Sequence, residues 1–250
     1  RVTEGLQEEF GAHRVFDSPL AEGGIAAIAM GMGLNGLRPV AEIQFADYIF
    51  PAYDQIVNEI AKLRHRSGGE FSTPVTIRTP AGGGIKGGHH HSQSPESQFT
   101  HTPGLKVVYC SNPNNAKGLL TSAIECNDPV IFFEPKRCYR GPFYGDPHNV
   151  PTWKGHPKSD VPEGHYSIPL EEADVVMEGD ACTVIAWGAM VHVAEKGIRD
   201  SGINAELIDL QTLVPWDRDT VVNSIKKTGR CVIVHEAPKT CLLYTSDAAD

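Results

Sequence analysis

Short runs of β-branched residues alternate with helical patterns along most of this chain, in two separate blocks. The runs that predict strands are 39–44, 74–78, 105–109 and 129–134 in the first block, and 181–187, 205–209 and 230–235 in the second. Strands that alternate with helices are typical of parallel sheets covered by helices. The sequence therefore predicts an α/β fold with two parallel-sheet domains, the second of them incomplete.

Apolar residues at helical spacing predict the helices that connect these strands. The predicted helices are 24–36, one that starts at Pro51, 114–126, 189–201 and 217–227. Pro, Gly, His and Asp replace this pattern between 139 and 169, in a stretch too long and too polar for a hairpin. We expect this stretch to be a surface excursion and an interdomain linker.

These patterns divide the chain into four parts. The predicted parts are a first domain over 1–138, a linker over 139–172, a partial second domain over 173–240 and a tail over 241–250 that belongs to neither domain. The tail neither continues a periodic pattern nor closes a strand, so we interpret it as foreign sequence. Because the chain does not begin with Met, we also expect sequence to be missing before Arg1.

The charge balance and the apolar pattern exclude several classes of protein. The 22 Lys and Arg against 31 Asp and Glu give a formal net charge of −9, so no broad cationic field favours nucleic acid. No apolar run is long enough to predict a membrane-spanning helix. The six cysteines are scattered without a Cys-x-x-Cys pair, which favours reduced thiols and a cytosolic location.

A carboxylate, Glu22, stands at the start of the first predicted helix, within Asp-Ser-Pro-Leu-Ala-Glu-Gly-Gly at 17–24. On spacing alone, Glu22 complements the dipole of that helix. Alternatively, its small neighbours let a ligand ring approach a poorly solvated carboxyl group, which then shares a proton with a ring nitrogen. The residues alone leave both interpretations open.

Gln44 and Tyr48 lie in a polar and aromatic segment at 42–51, which leads from a strand end into a helix. Parallel sheets bind ligands beyond the carboxyl ends of their strands, and this places both side chains at a predicted pocket. The alternative is that Tyr48 is a core aromatic residue.

Three consecutive histidines, His89 to His91, follow a glycine-rich segment at 82–88. No Gly-Lys-Ser or Gly-Lys-Thr follows the glycines, so the segment is not a P-loop. Consecutive loop histidines rarely aim at one ion, which argues against zinc. A histidine on a glycine-rich loop that reaches a cleft is a reasonable acid–base group. The alternative is a solvated loop histidine.

Five motifs occur in order along the chain. They are Asp-Ser-Pro-Leu-Ala-Glu-Gly-Gly at 17–24, Ala-Glu-Ile-Gln-Phe-Ala-Asp-Tyr-Ile-Phe-Pro-Ala-Tyr-Asp-Gln-Ile-Val-Asn-Glu at 41–59, His-Ser-Gln-Ser-Pro-Glu at 91–96, Pro-Gly-Leu-Lys-Val-Val at 103–108 and Phe-Phe-Glu-Pro-Lys-Arg at 132–137. Together they closely resemble the beta subunits of branched-chain 2-oxo acid dehydrogenases, the thiamine diphosphate-dependent decarboxylating component. The resemblance covers about 1–240 and implies domains of the transketolase-like type.

The resemblance implies a role for each candidate in the first domain. Glu22 matches the glutamate that bonds the aminopyrimidine ring of thiamine diphosphate, and Tyr48 matches an aromatic residue beside that ring. Leu20 is expected to touch the same ring, and Gln44 is a weaker candidate for the pocket wall. His91 matches the histidine near the reacting carbon, where it stabilises charge or relays a proton during reductive acylation.

The resemblance also implies partners. The pattern that holds Mg²⁺ and the diphosphate in this enzyme class, Gly-Asp-Gly and a distant Asn, does not occur, because Gly145-Asp146-Pro147 and Gly179-Asp180-Ala181 lack the third glycine. We therefore expect an alpha subunit to carry those ligands, in an alpha-two beta-two heterotetramer that serves a lipoyl acyltransferase core and a small 2-oxo acid substrate. We expect the chain alone to be inactive and, because missing strands would leave apolar surface and open sheet edges, poorly soluble as a monomer. The expected location is the cytoplasm, or the mitochondrial matrix in a eukaryote.

Two further expectations and two alternatives follow from the resemblance. Some relatives hold a structural monovalent cation near the segment that contains Cys126 and Asp128, and His89 and His90 are expected to be structural. One alternative is the pyruvate or acetoin branch, although His-Ser-Gln-Ser-Pro-Glu at 91–96 favours the branched-chain branch. The other is an assembly module without chemistry, which the joint presence of a matching glutamate, tyrosine and histidine disfavours.

Overall fold

The computed structural model describes residues 3–84, 87–139 and 159–237, and these form two sheets. The strands of the first sheet, in spatial order, are β1 (Val40–Glu42), β2 (Thr76–Ala81), β4 (Val130–Pro135), β3 (Lys106–Tyr109) and β8 (Thr212–Val214). The strands of the second sheet are β5 (Asp174–Met177), β7 (Ala205–Asp209), β6 (Cys182–Ala186) and β9 (Cys231–Val234). Every predicted strand is present, and the two-domain α/β prediction is confirmed.

Each sheet carries one antiparallel edge strand, so the prediction of purely parallel sheets is wrong at two edges. β8 runs antiparallel to β3, and β5 runs antiparallel to β7. The sequence analysis missed both strands because three or four residues carry too little periodicity to predict a strand. β8 also belongs to the predicted second domain but pairs with the first sheet, and this pairing joins the two halves of the chain.

The predicted helices are present, one of them in a different form, and the described residues contain three short helices that the periodicity did not predict. The α-helices are α1 (Leu6–Phe10), α2 (Glu22–Leu34), α3 (Leu63–Arg66), α4 (Glu96–Thr100), α5 (Pro113–Glu125), α6 (Lys136–Tyr139), α7 (Ala189–Ser201) and α8 (Arg218–Thr228). The single helix predicted from Pro51 is instead a 3-10 turn over Phe50–Ala52, a π-helical stretch over Gln55–Ile60 and then α3. In the described parts of the chain, no helix has the length and apolar character to cross a membrane.

The first sheet contains a buried ion pair between neighbouring strands. Arg78 in β2 donates from Nε and Nη2 to the two carboxylate oxygens of Glu134 in β4, both at 2.7 Å. It also donates from Nη1 to Glu42 at the end of β1. Burial opposes the charge of Arg78, but the two carboxylates hold its pKa above the usual value. The ion pair therefore fixes the relative positions of three strands in a buried part of the sheet.

The described end of the predicted linker, 159–172, packs along α5. The carbonyl oxygen of Ile168 accepts a hydrogen bond from the Ser122 hydroxyl at 2.5 Å, and Lys117 Nζ donates to Pro162 at 2.7 Å. A Cβ atom on Gly118 would lie only 2.5 Å from the Ile168 side chain. The linker can therefore approach α5 this closely because position 118 has no side chain. The rest of the predicted linker, 140–158, lies outside the described residues.

Candidate active site

Glu22 is the first residue of α2 and is partly buried at the N-terminus of that helix. Helix α2 packs against the turn Phe50–Ala52, where a Cβ atom on Gly23 would lie 3.1 Å from the Pro51 carbonyl oxygen. The glycine after Glu22 therefore lets the helix end approach the segment that follows β1. Leu20, two residues before Glu22, leaves 82% of its surface exposed.

Tyr48 and His91 are in contact, although 43 positions separate them in the sequence. Tyr48 ends a 3-10 turn that follows β1, and its hydroxyl lies 3.2 Å from Nε2 of His91. The Phe45 ring packs edge-on against the His91 imidazole, with 4.4 Å between the ring centroids. The imidazole is therefore enclosed by two aromatic side chains from the carboxyl end of β1.

The hydrogen bonds of His91 define its tautomer. Nδ1 lies 3.1 Å from the carbonyl oxygen of Gly87, which can only accept a hydrogen bond. In the neutral ring, Nδ1 therefore carries the proton, and Nε2 accepts a hydrogen bond from the Tyr48 hydroxyl. His89 and His90 are exposed and pack on each other, with 3.7 Å between their ring centroids. Only the third histidine of the triplet joins the aromatic site.

Lys136 and Asp47 complete this site, and the sequence analysis assigned a role to neither. The Lys136 ammonium donates to the carbonyl oxygen of His91 and lies 5.2 Å from the centroid of the Phe45 ring. Burial lowers the pKa of Lys136, while the charges of Asp47 and Glu236 oppose this shift. Lys136 is the fifth residue of the motif at 132–137, but lysines are rarely buried, so nothing in the sequence indicated this buried position.

Asp47 is buried, and both of its carboxylate oxygens lack a hydrogen-bond partner among the described residues. Buried carboxylates are normally hydrogen-bonded, so these oxygens suit donors from outside the described chain. The side chains at this end of the sheet offer a carboxyl group, a phenol and an imidazole beside aromatic rings. These donors and acceptors suit an aminopyrimidine ring. The residues present therefore fit the pyrimidine half of thiamine diphosphate.

Gln44 and the two Gly-Asp segments have less direct roles. Gln44 is exposed and directly precedes Phe45, so its backbone lies next to the site. Asp180 accepts a hydrogen bond from Asn204 at 2.9 Å in the turn before β6, which gives this Gly-Asp segment a structural role. The other, Gly145-Asp146, lies outside the described residues.

The segment expected to hold a monovalent cation has a different partner in this structure. The carbonyl oxygens of Ile124, Glu125 and Cys126 each accept a hydrogen bond from Arg38 Nη1, at 2.9 to 3.0 Å. Arg64 forms an ion pair with Asp128 at 3.0 Å. A guanidinium therefore neutralises the C-terminus of α5, and the cation stays a prediction.

Comparisons with known proteins identify the family. The family described as "Transketolase, pyrimidine binding domain" matches residues 1–142, and "Transketolase, C-terminal domain" matches residues 171–243. The 2-oxoisovalerate dehydrogenase subunit beta of Pseudomonas aeruginosa is 56% identical over 243 residues, which are 96% of this chain and 69% of that protein. The chain belongs to the family of 2-oxo acid dehydrogenase beta subunits. The resemblance drawn from the five motifs is thereby confirmed.

Other members of the beta-subunit family are similar over the same part of the chain. The mitochondrial 2-oxoisovalerate dehydrogenase subunit beta of Dictyostelium discoideum is 54% identical over 96% of this chain, which spans 62% of that protein. The pyruvate dehydrogenase E1 component subunit beta of Acholeplasma laidlawii is 46% identical over 96% of this chain and 70% of that protein. The chain thus spans roughly two thirds of the length of these relatives.

Among solved structures, a split gene transketolase, described as an inactive beta4 tetramer, matches with a TM-score of 0.72. The match covers 94% of this chain and 70% of that one, at 21% identity. At this identity, the likeness concerns the fold alone. It agrees with the transketolase-like arrangement of two domains predicted for the beta-subunit family.

Proposed function

We propose that this chain is the beta subunit of a branched-chain 2-oxo acid dehydrogenase. With an alpha subunit, it decarboxylates 3-methyl-2-oxobutanoate oxidatively and transfers the acyl group to a lipoyl group. The observation that carries the proposal is the contact between Tyr48 and His91. Tyr48 lies in the segment that follows β1, and the Glu22 end of α2 packs against the same segment. These three residues are the ones that the family motifs match to catalytic and cofactor positions.

Thiamine diphosphate is the proposed cofactor, and when bound it supplies an electron sink that permits carbon dioxide to leave a 2-oxo acid. The Glu22 carboxyl holds a proton at the pyrimidine ring nitrogen, and Tyr48 and Leu20 pack beside the ring. Gln44 belongs to the pocket wall. His91 relays a proton or stabilises negative charge when the acyl group passes to the lipoyl sulfur.

The site is proposed to form between unlike chains. Mg²⁺ and the diphosphate are assigned to the alpha subunit, because the family pattern for those ligands is absent from this sequence. Helix α2 is apolar around its whole circumference, yet Ile28 and Leu34 are exposed. A helix that is apolar on all sides is normally buried, which supports a further protein surface against α2. An alpha-two beta-two heterotetramer with a lipoyl acyltransferase core provides these partners, and the chain alone is inactive.

Substrate specificity tests this proposal directly. The full-length beta subunit and its alpha subunit are reconstituted with a lipoyl domain, and acyl-lipoyl formation is measured with 3-methyl-2-oxobutanoate, pyruvate and acetoin. We expect kcat/KM for the branched substrate to exceed that for pyruvate at least about tenfold, as apolar pockets discriminate substrates that differ by methyl groups. A preference for pyruvate or acetoin would assign the chain to that branch, which the relative from Acholeplasma laidlawii represents.

Two controls separate catalysis from assembly. Omission of the alpha subunit should reduce turnover to the background rate. His91→Ala should slow acyl transfer to the lipoyl group without loss of the alpha–beta complex. Turnover that persisted without the alpha subunit would refute a site shared between unlike chains, and an unchanged rate in an assembled His91→Ala complex would leave His91 without the proposed role. An assembled complex that turned over none of the three substrates would favour the non-catalytic assembly module.

A further inference from the structure

Both ends of the loop that carries His91 are bound to the second domain. This glycine–histidine loop comprises residues 82–96, of which all but 85 and 86 are described. At its start, the Glu236 carboxylate accepts a hydrogen bond from the Gly83 amide at 2.9 Å. At its end, Nε1 of Trp187 donates to the Glu96 carboxylate at 3.3 Å. A backbone hydrogen bond from Gly82 to Gln93, at 2.9 Å, closes the loop between these two contacts.

The two second-domain residues, Trp187 and Glu236, lie at the same end of the second sheet. Strands β6 and β9 are parallel neighbours in which Ala186 pairs with Val234. Trp187 and His235 therefore leave adjacent strand ends, and their rings stack with 5.1 Å between the centroids. Glu236 follows directly. The carboxyl end of a single strand pair thus supplies both contacts to the loop.

Glycines on both sides allow the domains to approach closely. A Cβ atom would lie 2.8 Å from Glu236 Oε2 if it were placed on Gly82, and 3.1 Å from Oε1 if it were placed on Gly83. In the second domain, Gly188 follows Trp187, and a Cβ atom there would lie 2.6 Å from the Tyr109 ring. Gly82 and Gly188 also have φ angles of 80° and 57°, which favour glycine.

The contact at the loop end is buried. Burial, with a smaller contribution from the charge of Glu236, raises the pKa of Glu96 to about 7. A hydrogen bond to a buried carboxyl group is costly to break, because the group then loses its partner without regaining water. Lys136, which donates to the His91 carbonyl oxygen, also feels the charge of Glu236. The second domain therefore contacts the loop at both ends.

We propose that the second domain positions His91 through Glu236 and Trp187, which hold the two ends of the glycine–histidine loop. Both are positioning residues, since neither touches the imidazole. The inference rests on the proposed function of His91 in acyl transfer and adds a task for the second domain.

The test uses the full-length alpha–beta complex with a lipoyl domain. Glu236→Ala removes the acceptor for the Gly83 amide, and we expect acyl transfer to fall about tenfold. Glu236→Gln keeps an oxygen acceptor and should restore most of the rate. In a complex that already carries His91→Ala, Glu236→Ala should cause no further loss, because a residue that acts only through His91 has nothing left to position.

A control and a second variant complete the design. Glu206→Gln removes a second-domain carboxylate that pairs with Lys227, remote from the loop, and it should leave the rate unchanged. If Glu236→Ala does not assemble, Trp187→Phe replaces it, since phenylalanine keeps an aromatic ring and removes the donor to Glu96.

Each outcome is informative. An unaffected His91→Ala rate would refute the role of His91 in the proposed function, and the inference with it. A slow His91→Ala complex together with a normal rate in Glu236→Ala, or losses that multiply in the double variant, would overturn this inference alone. Equal slowing by the Glu206→Gln control would also overturn it, because the effect would then come from domain stability.

Discussion

The hydroxyl of Tyr48 donates to Nε2 of His91 across 3.2 Å, and this contact links the end of β1 to the glycine–histidine loop. Tyr48→Phe keeps the aromatic wall and removes the hydroxyl. One hydrogen bond contributes about 1 kcal/mol, so we expect acyl transfer in the assembled complex to slow about fivefold. Tyr53→Phe is the matched control, because the Tyr53 hydroxyl bonds Gln98 away from the imidazole. Equal rates for both variants would show that the hydroxyl does not orient His91.

Two helical glycines should respond in opposite directions to alanine. Gly118→Ala places a Cβ atom 2.5 Å from Ile168, so we expect the protein to lose about 1 to 3 kcal/mol of stability through overpacking. Gly197→Ala in α7 meets no atom within 4 Å and should gain roughly 0.5 to 1 kcal/mol. Thermal unfolding of both variants gives the comparison. Stabilisation by Gly118→Ala would contradict the packing of 159–172 on α5.

The buried ion pair in the first sheet should contribute far more to stability than an exposed one. Arg78→Met leaves Glu134 buried without its cationic partner, and we expect a loss of about 3 to 5 kcal/mol. Arg66→Met removes the exposed pair with Glu59 and should leave the melting temperature nearly unchanged. Denaturant unfolding measures both. Similar small effects would mean that Arg78 is accessible to water.

A buried carboxyl group in the second sheet should make stability fall as pH rises. Burial, with Ser111, the Gln211 amide and Asn115 acting in the opposite direction, raises the pKa of Asp209 from 3.8 to about 7. Between these values, the folded chain keeps a proton that the unfolded chain releases. Stability should therefore fall by up to about 1.4 kcal/mol per pH unit through this window and level off above it.

Asp209→Asn removes this titration and should flatten the dependence between pH 4 and 7. Unfolding measured at several pH values, for both proteins, provides the comparison. Because other groups also titrate in this range, the difference between the two slopes is the quantity of interest. Parallel slopes would show that Asp209 titrates near its ordinary pKa in the folded protein.

The sequence predicted the long elements well and the contacts between distant segments poorly. Helix α5 illustrates the first case, because Asn112 and Asn115 form a reciprocal cap and Pro113 occupies the first turn, all within four residues. Strand β8 illustrates the second, since three residues join a sheet formed from the other half of the chain. Local periodicity cannot encode such a pairing.

The same distinction applies to the candidate site. By resemblance, the motifs predict site roles for Glu22, Tyr48 and His91, and the structure brings Tyr48 into contact with His91. Lys136 and Glu236 were missed because their importance depends on burial and on contacts across 45 and 153 positions. The Glu236 contact arises only when the second domain folds back on the first.

The substitution Glu22→Gln in the full-length alpha–beta complex tests the central claim most directly, with carbon dioxide release from 3-methyl-2-oxobutanoate as the readout. Asp17→Asn, which alters an exposed carboxylate five positions earlier, is the control. We predict that Glu22→Gln lowers release at least about a hundredfold, as loss of a general acid–base group does, while assembly and the control rate stay normal. A normal rate in an assembled Glu22→Gln complex would contradict the account.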